Sequence, residues 1–450
     1  MKVVRRFAKM ILPDLAPREG DCGAAVKRPI VRGMILTRRN VVRAAAALPL
    51  LATPGLLRAA DPDLSALANI TGDVVPIGRE ERARRLARAQ ALMKANGIGA
   101  ILVEAGSSLV YFTGVRWWRS ERLTCAVIPV EGTPCIVTPF FEEPSIRETL
   151  GVEADVRVWQ EDEDPLKLVA GFLRDRKLAA RPVGIEETLR YFAVDGLQHA
   201  LAGAKLVSAN PVVRGCRMIK TPAEIALMQK ATDVTIAAYR WTWERVEIGM
   251  SQRDVGALMD AATRKLGGSP EFSMALVGEG AAYPHGTRKP QKVTADAVVL
   301  MDCGCTVEDY QSDVSRTFVK GTPSAEVRKV WDQVRQGQQT AFDAARLGAA
   351  AGSVDDAVRA KYESWGYGPR YRLPGLSHRT GHGIGMDGHE PVNLVHGEAT
   401  RLAPGMCFSN EPGIYIPGKF GVRLEDCFHM TESGPKWFSE PPPSIDRPMD

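Results

Sequence analysis

The chain has 450 residues, of which 45% are hydrophobic and 25% charged, which is ordinary for a globular protein of about two domains. Its net charge of +5 comes from the first sixty residues, which hold twelve Lys/Arg and three Asp/Glu and leave 46 basic and 50 acidic residues elsewhere. The body of the chain is therefore mildly acidic and has no basic stripe, so nucleic acid is excluded as an expected partner.

The amino-terminal part of the chain, residues 1–60, contains a candidate export signal. Arg38 and Arg39 precede an apolar run over 44–57, and small residues lead up to Asp61. This order is typical of a twin-arginine signal. The run is shorter than the roughly 20 residues that a spanning helix needs, so no stable membrane span is expected. We expect an exported, periplasmic protein that starts near Asp61, the alternative being a basic, apolar surface helix.

The first folded domain is expected over residues 78–216, after a linker at 61–77. Helical spacing of apolar residues predicts a helix over 80–96, and short apolar runs alternating with further helical segments predict strands. This alternation is typical of an α/β domain. The strand-like runs lie at 100–103, 110–113, 124–130, 135–138, 156–159, 183–185 and 206–207.

A second domain is expected over residues 217–440, followed by a tail at 441–450. Thr221-Pro-Ala-Glu224 and Ser251-Gln-Arg-Asp254 carry helix-capping patterns, and each opens a predicted helix before a group of strands. The order recurs with a long helix and then Ser353-Val-Asp-Asp356, followed by more strands. Two helices and then strands, twice over, indicate a domain with an internal pseudo-two-fold repeat.

Acidic residues follow apolar strands at four places in this second domain. Asp302 ends one such run, Asp313 lies eleven residues later, and Glu411 and Glu425 follow two further runs. A hairpin of that length brings Asp302 and Asp313 face to face. His382 lies in a glycine-rich segment that permits close backbone approach. Buried carboxylates repel one another unless cations neutralise them, so this set predicts a site for divalent metal ions.

The order of these five residues resembles that of the pita-bread metallopeptidases, which include methionine aminopeptidase, aminopeptidase P and prolidase. In that family the ligands run Asp, Asp, His, Glu, Glu. The segment Val110-Tyr-Phe-Thr-Gly114 is similar to the amino-terminal domain of prolidases and creatinase. The resemblance covers about residues 80–435. It implies an α/β amino-terminal domain followed by an α+β pita-bread catalytic domain with a pseudo-two-fold repeat.

The resemblance also implies a role for each site residue. Asp302, Asp313, His382, Glu411 and Glu425 would hold two divalent ions, Mn²⁺ first and Co²⁺, Fe²⁺ or Zn²⁺ as alternatives, with a bridging hydroxide that attacks a peptide or small amide substrate. Glu411 would take the proton of that hydroxide. Hydrogen bonds to the reacting groups would come from His285 and His389, and three further residues are expected near the substrate or the ligands, namely His378, Arg423 and Tyr310. We also expect a homodimer.

One position departs from the pattern of prolidases specialised for dipeptides. They often carry an arginine four residues after the second catalytic histidine, where it binds the substrate carboxylate, and this chain has Asn393 there. Since an amide carries no charge, the sequence predicts a preference for peptides of three or more residues, unless Arg379 or Arg288 supplies the cation. Trp117 and Trp118 are expected either to wall the cleft or to pack at a surface or dimer contact.

Three functions are compatible with the sequence. The first is a Xaa-Pro peptidase of the aminopeptidase P or prolidase kind. The second is a hydrolase or lyase of the same fold that acts on a non-peptide molecule, as creatinase, ectoine hydrolase and a sulfonium lyase do. The third is a non-catalytic binding protein. Because all five ligand positions are filled, the sequence favours a metal-dependent peptidase.

Overall fold

The computed structural model describes residues 62–450, so the predicted export signal lies outside the described part of the chain. Among the helices of 62–450, none combines the length and the apolar character needed to cross a membrane.

The first domain is built on one six-stranded sheet of order β4-β3-β2-β1-β5-β6, in which β3–β4, β1–β5 and β5–β6 are parallel. Helices alternate with the strands, which confirms the α/β prediction. The helices are α1 Arg79–Ala95, α2 Ser107–Thr113, α3 Glu143–Thr149, α4 Pro165–Asp175, α5 Tyr191–Ala200 and α6 Asn210–Arg217. The strands are β1 Ala100–Glu104, β2 Cys125–Pro129, β3 Cys135–Pro139, β4 Asp155–Trp159, β5 Val183–Ile185 and β6 Leu206–Ser208.

One predicted strand of this domain is wrong. Residues 110–113 belong to α2, which ends at Gly114 in the left-handed region with φ 81°. The Gly114 amide donates to the Val110 carbonyl, and this bond closes the last helical turn. A short apolar run such as Val-Tyr-Phe-Thr does not distinguish a buried helix from a strand by its pattern alone.

The second domain repeats one arrangement of helices and sheet, as predicted. Helices α7 Pro222–Arg245 and α8 Gln252–Leu266 precede a sheet with the path β10-β8-β7, and α9 Ala325–Ala344 and α10 Gly352–Ser364 precede a sheet of order β12-β11-β13-β16-β17. The strands of the first half are β7 Ser269–Val277, β8 Val298–Val307, β9 Tyr310–Gln311 and β10 Val314–Val319. Those of the second half are β11 Gly381–Gly383, β12 Glu390–Leu394, β13 Cys407–Asn410, β14 Gly413–Ile416, β15 Phe420–Arg423, β16 Asp426–Thr431 and β17 Gly434–Trp437.

Two of the three predicted helix caps are present. Thr221 with Glu224, and Ser251 with Asp254, form reciprocal capping boxes at the starts of α7 and α8. The third, at Ser353, is wrong, because α10 begins at Gly352 and its preceding residue makes no side-chain cap. Asp355 is fully buried in that helix and accepts hydrogen bonds from Thr380 N and Oγ1 at 3.0 and 2.7 Å. Its carboxylate therefore anchors the segment that leads into β11.

A buried polar cluster joins the first domain to the second. Glu390 accepts hydrogen bonds from Arg217 and from the Lys220 Nζ at 2.9 Å, and Arg217 also contacts Ser107 and Asp387. Burial alone would raise the pKa of Glu390, but Arg217 and Lys220 lower it to about 2. The cluster fixes the turn between β11 and β12 against the first domain.

Candidate metal centre

The first two candidate ligands are brought together by the antiparallel pair β8 and β10. Asp302 lies within β8 opposite Ser315 of β10, and Asp313 immediately precedes β10. Glu425 joins them from the other half of the domain, because its backbone pairs with Ser315 through two hydrogen bonds of 3.1 and 3.2 Å. One strand pair therefore carries Asp302 and Asp313, and Glu425 adjoins that pair at the junction of the two halves.

His382 lies in β11, and Glu411 immediately follows the neighbouring strand β13. A Cβ on Gly381 would lie 2.1 Å from the Ser409 carbonyl oxygen, so only glycine permits this approach of β11 to β13. The His382 amide donates to Ser409 Oγ at 3.0 Å, and the Glu411 amide donates to the Thr380 carbonyl at 2.9 Å. These two hydrogen bonds hold the backbone so that the side chains of His382 and Glu411 line the same cavity.

A cavity of about 580 Å³ is lined by all five candidate ligands. The same cavity is lined by His285, His378, His389, Arg379 and Arg423. Trp117 and Trp118 stack on each other with centroids 4.9 Å apart, and neither lines this cavity in the single chain. The predicted ligands and histidines therefore share one site, whereas the tryptophan pair, with Trp118 70% exposed, lies outside it.

Ligand atoms of four of the five candidates, Asp313, His382, Glu411 and Glu425, lie close to one another. One ligand atom each from Asp313, His382 and Glu425 lies within 4.8 Å of the others. The Nε2 of His382 is 3.7 Å from Asp313 Oδ2 and 3.4 Å from Glu411 Oε1. Its Nδ1 lies 3.1 Å from the Gly383 carbonyl oxygen, so Nδ1 is the protonated nitrogen and Nε2 presents its lone pair to the carboxylates.

Without cations this cluster is strained electrostatically. Burial first, and then the charges of Asp302 and Glu411, raise the pKa of Asp313 well above its usual range. Burial, and then the charges of Asp313 and Glu411, do the same to the pKa of Glu425. Burial, more than the charge of Asp302, raises the pKa of Glu411 to about 8. Bound divalent cations would remove this penalty and return the carboxylates to their ionised form.

The donor set fits divalent metal ions. Asp302 Oδ1 and Glu425 Oε1 are buried and have no hydrogen-bond partner among the described residues. A buried carboxylate oxygen left without a partner is costly, and a metal ion satisfies it. Burial and the neighbouring His389 lower the pKa of His382 well below its usual value, so the imidazole is neutral and able to coordinate.

Arg423 connects a candidate ligand to neighbouring residues of the first half of the domain. Its Nη2 donates to Asp302 Oδ2 at 2.6 Å, and its Nε donates to Ser315 Oγ at 3.0 Å. Its Nη1 also reaches the Pro284 carbonyl at 3.0 Å, which holds the loop that carries His285. Arg423 therefore orients a candidate ligand and a candidate catalytic histidine together.

Tyr310 does not have the predicted role. Its hydroxyl donates to Glu224 Oε1 at 2.8 Å and accepts from Arg85 Nη2 at 2.8 Å, and neither Asp302 nor Asp313 is its partner. Glu224 belongs to α7 and Arg85 to α1, so Tyr310 lies in a buried polar junction between the domains. The expectation failed because sequence proximity to the two aspartates does not show which way the side chain of β9 points.

His378 lines the cavity and positions its neighbours. Burial, followed by the charge of Arg423, lowers the pKa of His378 to about 3, so the ring is neutral. Its Nδ1 is 2.8 Å from the Arg379 carbonyl oxygen and its Nε2 is 2.8 Å from the Tyr415 hydroxyl. With both nitrogens engaged, His378 fixes the Arg379 backbone and connects through Tyr415 to Arg423, which is 3.0 Å from that hydroxyl.

The two proposed hydrogen-bond donors, His285 and His389, both line the cavity. The ring centroids of His389 and His382 are 4.0 Å apart, and burial followed by the charge of Arg379 lowers the pKa of His389. His285 is exposed in the single chain and lies between Pro284 and Gly286, whose φ is 79°. His389 is therefore a neutral imidazole beside the ligands, where it is able to donate one N–H.

Three residues of the site were not identified from the sequence. Tyr415 connects His378 to Arg423, Ser315 donates to Glu425 Oε2 at 2.8 Å, and Asp355 anchors the Thr380 segment. Only Ser315 carried a signal, since it lies two residues after Asp313 and so faces the same side of an extended strand. The other two contacts join segments that are far apart in the chain.

A histidine and four carboxylates in one buried cavity, between two repeated helix-and-sheet halves, define the class of metal-dependent hydrolases. The pattern of metallopeptidase family M24 matches residues 226–432, and that of the creatinase/prolidase N-terminal domain matches residues 85–219. The chain belongs to metallopeptidase family M24 and is a peptidase with the creatinase-type amino-terminal domain and the pita-bread fold, as the resemblance implied.

Several relatives are named dipeptidases, and one similar solved structure is the X-Pro aminopeptidase of Thermotoga maritima, with a TM-score of 0.71 at 27% identity, covering 80% of this chain and 98% of that one. The chain is 34% identical over 360 residues to the probable dipeptidase PepE of Mycobacterium tuberculosis, covering 79% of this chain and 93% of the relative. It is 32% identical to the Xaa-Pro dipeptidase of Lactobacillus helveticus, covering 74% and 90%. The crystal structure of dipeptidase PepE from Mycobacterium ulcerans superposes with a TM-score of 0.76 at 32% identity, covering 82% of this chain and 99% of that one.

Proposed function

We propose that this peptidase hydrolyses the peptide bond that precedes proline in Xaa-Pro substrates. The observation that carries the proposal is the single cavity lined by all five candidate ligands together with three histidines and two arginines. The similarity to a Xaa-Pro dipeptidase supports the choice of substrate.

The metal ions would be held by Asp302, Asp313, His382, Glu411 and Glu425. Two divalent ions bound there would supply an activated water and a Lewis acid for the scissile carbonyl. The four carboxylates make an oxygen-rich, hard donor set, which favours Mn²⁺, with Co²⁺, Fe²⁺ and Zn²⁺ as alternatives that the single imidazole also accepts.

The chain's own residues complete the reaction. Glu411, whose pKa of about 8 in the absence of metal reflects burial, takes a proton from the attacking water and returns it to the leaving nitrogen. His389 donates its N–H to the oxygen that becomes negatively charged in the transition state. His285, which lines the same cavity, binds the leaving side of the substrate.

The apolar part of the cavity lining is suited to a proline ring. Phe272, Met274, Pro284 and Val395 line the cavity with apolar groups beside the polar ligands. An apolar wall with a few convergent polar groups is the usual construction of a small-molecule site, and a pyrrolidine ring has no N–H that such a wall would leave unsatisfied. The apolar lining supports proline, rather than a polar residue, after the scissile bond.

A substrate panel tests the proposed function. Metal-reconstituted protein should hydrolyse glycyl-proline and glycyl-prolyl-alanine and leave glycyl-leucine and the cyclic amidine ectoine unchanged. Cleavage of an amidine in preference to the proline peptides would show that the fold serves a non-peptide substrate, and cleavage of none of them would refute the proposal.

A further inference from the structure

The site cavity contains a guanidinium group that has no acidic partner. Arg379 lies three residues before His382, is half-buried, and lines the same cavity as the candidate ligands. Across residues 62–450, no carboxylate lies within 4.0 Å of its side-chain nitrogens, and its only side-chain hydrogen bond is to an amide. A guanidinium has five N–H donors, so most of its donors are available to a ligand.

Arg379 is held in place at both ends. Its Nη1 donates to Asn393 Oδ1 at 3.0 Å, and its backbone carbonyl accepts the His378 ring N–H at 2.8 Å. Asn393 lies on β12 directly opposite His382 of β11, so the amide that holds Arg379 belongs to the strand pair that carries a candidate ligand. Such anchoring reduces the side-chain entropy that Arg379 would otherwise lose on binding a ligand.

The predicted preference for longer peptides assumed that the cavity has no cation to bind a substrate carboxylate, and Arg379 is such a cation. Asn393 itself is uncharged, but its side chain is occupied in directing a cation into the cavity. Arg288, the other candidate cation, is exposed and lines a separate cavity of about 820 Å³ that is adjacent through Phe272, Met274 and His285. Of these two arginines, only Arg379 lines the cavity of the candidate ligands, where the other cation, Arg423, is already paired with Asp302.

We propose that Arg379, positioned by Asn393, binds the free carboxylate of a dipeptide substrate and makes the protein selective for Xaa-Pro dipeptides. This inference rests on the proposed function and specifies its substrate. A dipeptide ending in proline places its carboxylate one residue beyond the scissile bond, and a planar guanidinium pairs with a carboxylate through two parallel hydrogen bonds. A longer peptide has a neutral amide at that place and leaves the arginine unpaired.

The test compares glycyl-proline with glycyl-prolinamide, which differ only in the terminal charge. In the unmodified, metal-loaded protein, kcat/KM should be higher for the dipeptide. Arg379→Gln should lower the ratio of the two kcat/KM values by about 30-fold or more, mainly through the KM of the dipeptide, because truncating one partner of a desolvated charge pair has an effect of this size. Arg379→Lys should recover part of the ratio, since it keeps the charge without the fork.

Two further variants separate binding from structure. Asn393→Ala leaves the charge in place but releases it, so it should lower the ratio by less than Arg379→Gln does. Arg288→Gln is the matched control and should leave the ratio within about twofold, since an exposed charge outside the cavity has little effect. An equal loss on both substrates in Arg379→Gln, or a fall of the ratio in Arg288→Gln, would overturn the inference.

The role of Arg379 can still be tested if the protein does not hydrolyse Xaa-Pro substrates. In that case the unmodified protein turns over neither substrate. The dissociation constants of glycyl-proline and glycyl-prolinamide, measured by calorimetry on the same metal-loaded protein, then decide the role of Arg379. Tighter binding of the dipeptide that is lost in Arg379→Gln supports the inference, and equal binding of the two ligands contradicts it.

Discussion

Asp313→Asn should lower the turnover of glycyl-proline by at least about 10³-fold, equivalent to roughly 4 kcal/mol of transition-state stabilisation. Asp313 is buried, and its carboxylate lies with His382 and Glu425 in the set whose ligand atoms are within 4.8 Å of one another. The asparagine has nearly the same shape but cannot bring a negative charge to the metal ions. Glu411→Ala should have a similar effect, because it removes both a ligand and the proton acceptor.

The same substitution should change stability in opposite ways with and without metal. Burial and the charges of Asp302 and Glu411 raise the pKa of Asp313, so its ionisation destabilises the metal-free fold as pH rises above the ordinary carboxyl range. In chelator at pH 7, Asp313→Asn should therefore have a Tm no lower than the unmodified protein. Added Mn²⁺ should raise the Tm of the unmodified protein, because a ligand stabilises the state that binds it, and should raise that of the variant much less.

A surface aspartate provides the control for this experiment. Asp296 is exposed, six residues before Asp302, and contacts only Thr294 by hydrogen bond among the described residues. Asp296→Asn should keep both turnover and the metal-dependent rise in Tm. Near-native turnover in Asp313→Asn would show that the buried carboxylate is not part of the reaction centre.

His389→Ala should lower kcat by about 10²–10³-fold while the metal content stays that of the unmodified protein. The ring of His389 lies beside that of His382, with centroids 4.0 Å apart, yet the atoms that come within 4.8 Å of one another belong to other residues. Its burial and the nearby Arg379 keep the imidazole neutral, which suits a hydrogen-bond donor to developing negative charge. The loss should therefore fall on the transition state and not on metal binding.

His396→Ala is the matched control for His389→Ala. His396 is exposed, seven residues further along the chain, and its Nδ1 is 2.6 Å from Asp356 Oδ1 on the surface. Its removal should leave kcat within about twofold, as surface pairs contribute little. A parallel fall of metal content and kcat in His389→Ala would instead make His389 a ligand.

The sequence predicted the candidate ligands because each follows or lies in an apolar strand, and strand ends are brought together by local pairing. Asp302 and Asp313 belong to one antiparallel unit, so eleven residues of sequence are enough to relate them. The capping boxes at Thr221 and Ser251 were equally accessible, since both partners lie within four residues.

The residues that the sequence misplaced depend on contacts between distant segments. Tyr310 bonds to Arg85, which is 225 residues away, and no local pattern announces that pair. Asp355 follows a serine in a capping-like pattern, yet its burial against Thr380 decides its role. The role of Asn393 was predicted from its lack of charge alone. In the structure its side chain accepts a hydrogen bond from Arg379, which lies 14 residues earlier in the chain. The uncharged residue at position 393 therefore did not show that the cavity contains a cation at Arg379.

The measurement that tests the account most directly is the metal content of the reconstituted protein, determined by elemental analysis on the preparation whose glycyl-proline turnover is assayed. We expect about two divalent ions per chain, as in two-metal hydrolases, with turnover that is lost in chelator and regained as the ions are restored. Undiminished turnover of glycyl-proline in protein without stoichiometric metal would contradict the assignment of Asp302, Asp313, His382, Glu411 and Glu425 as a metal centre.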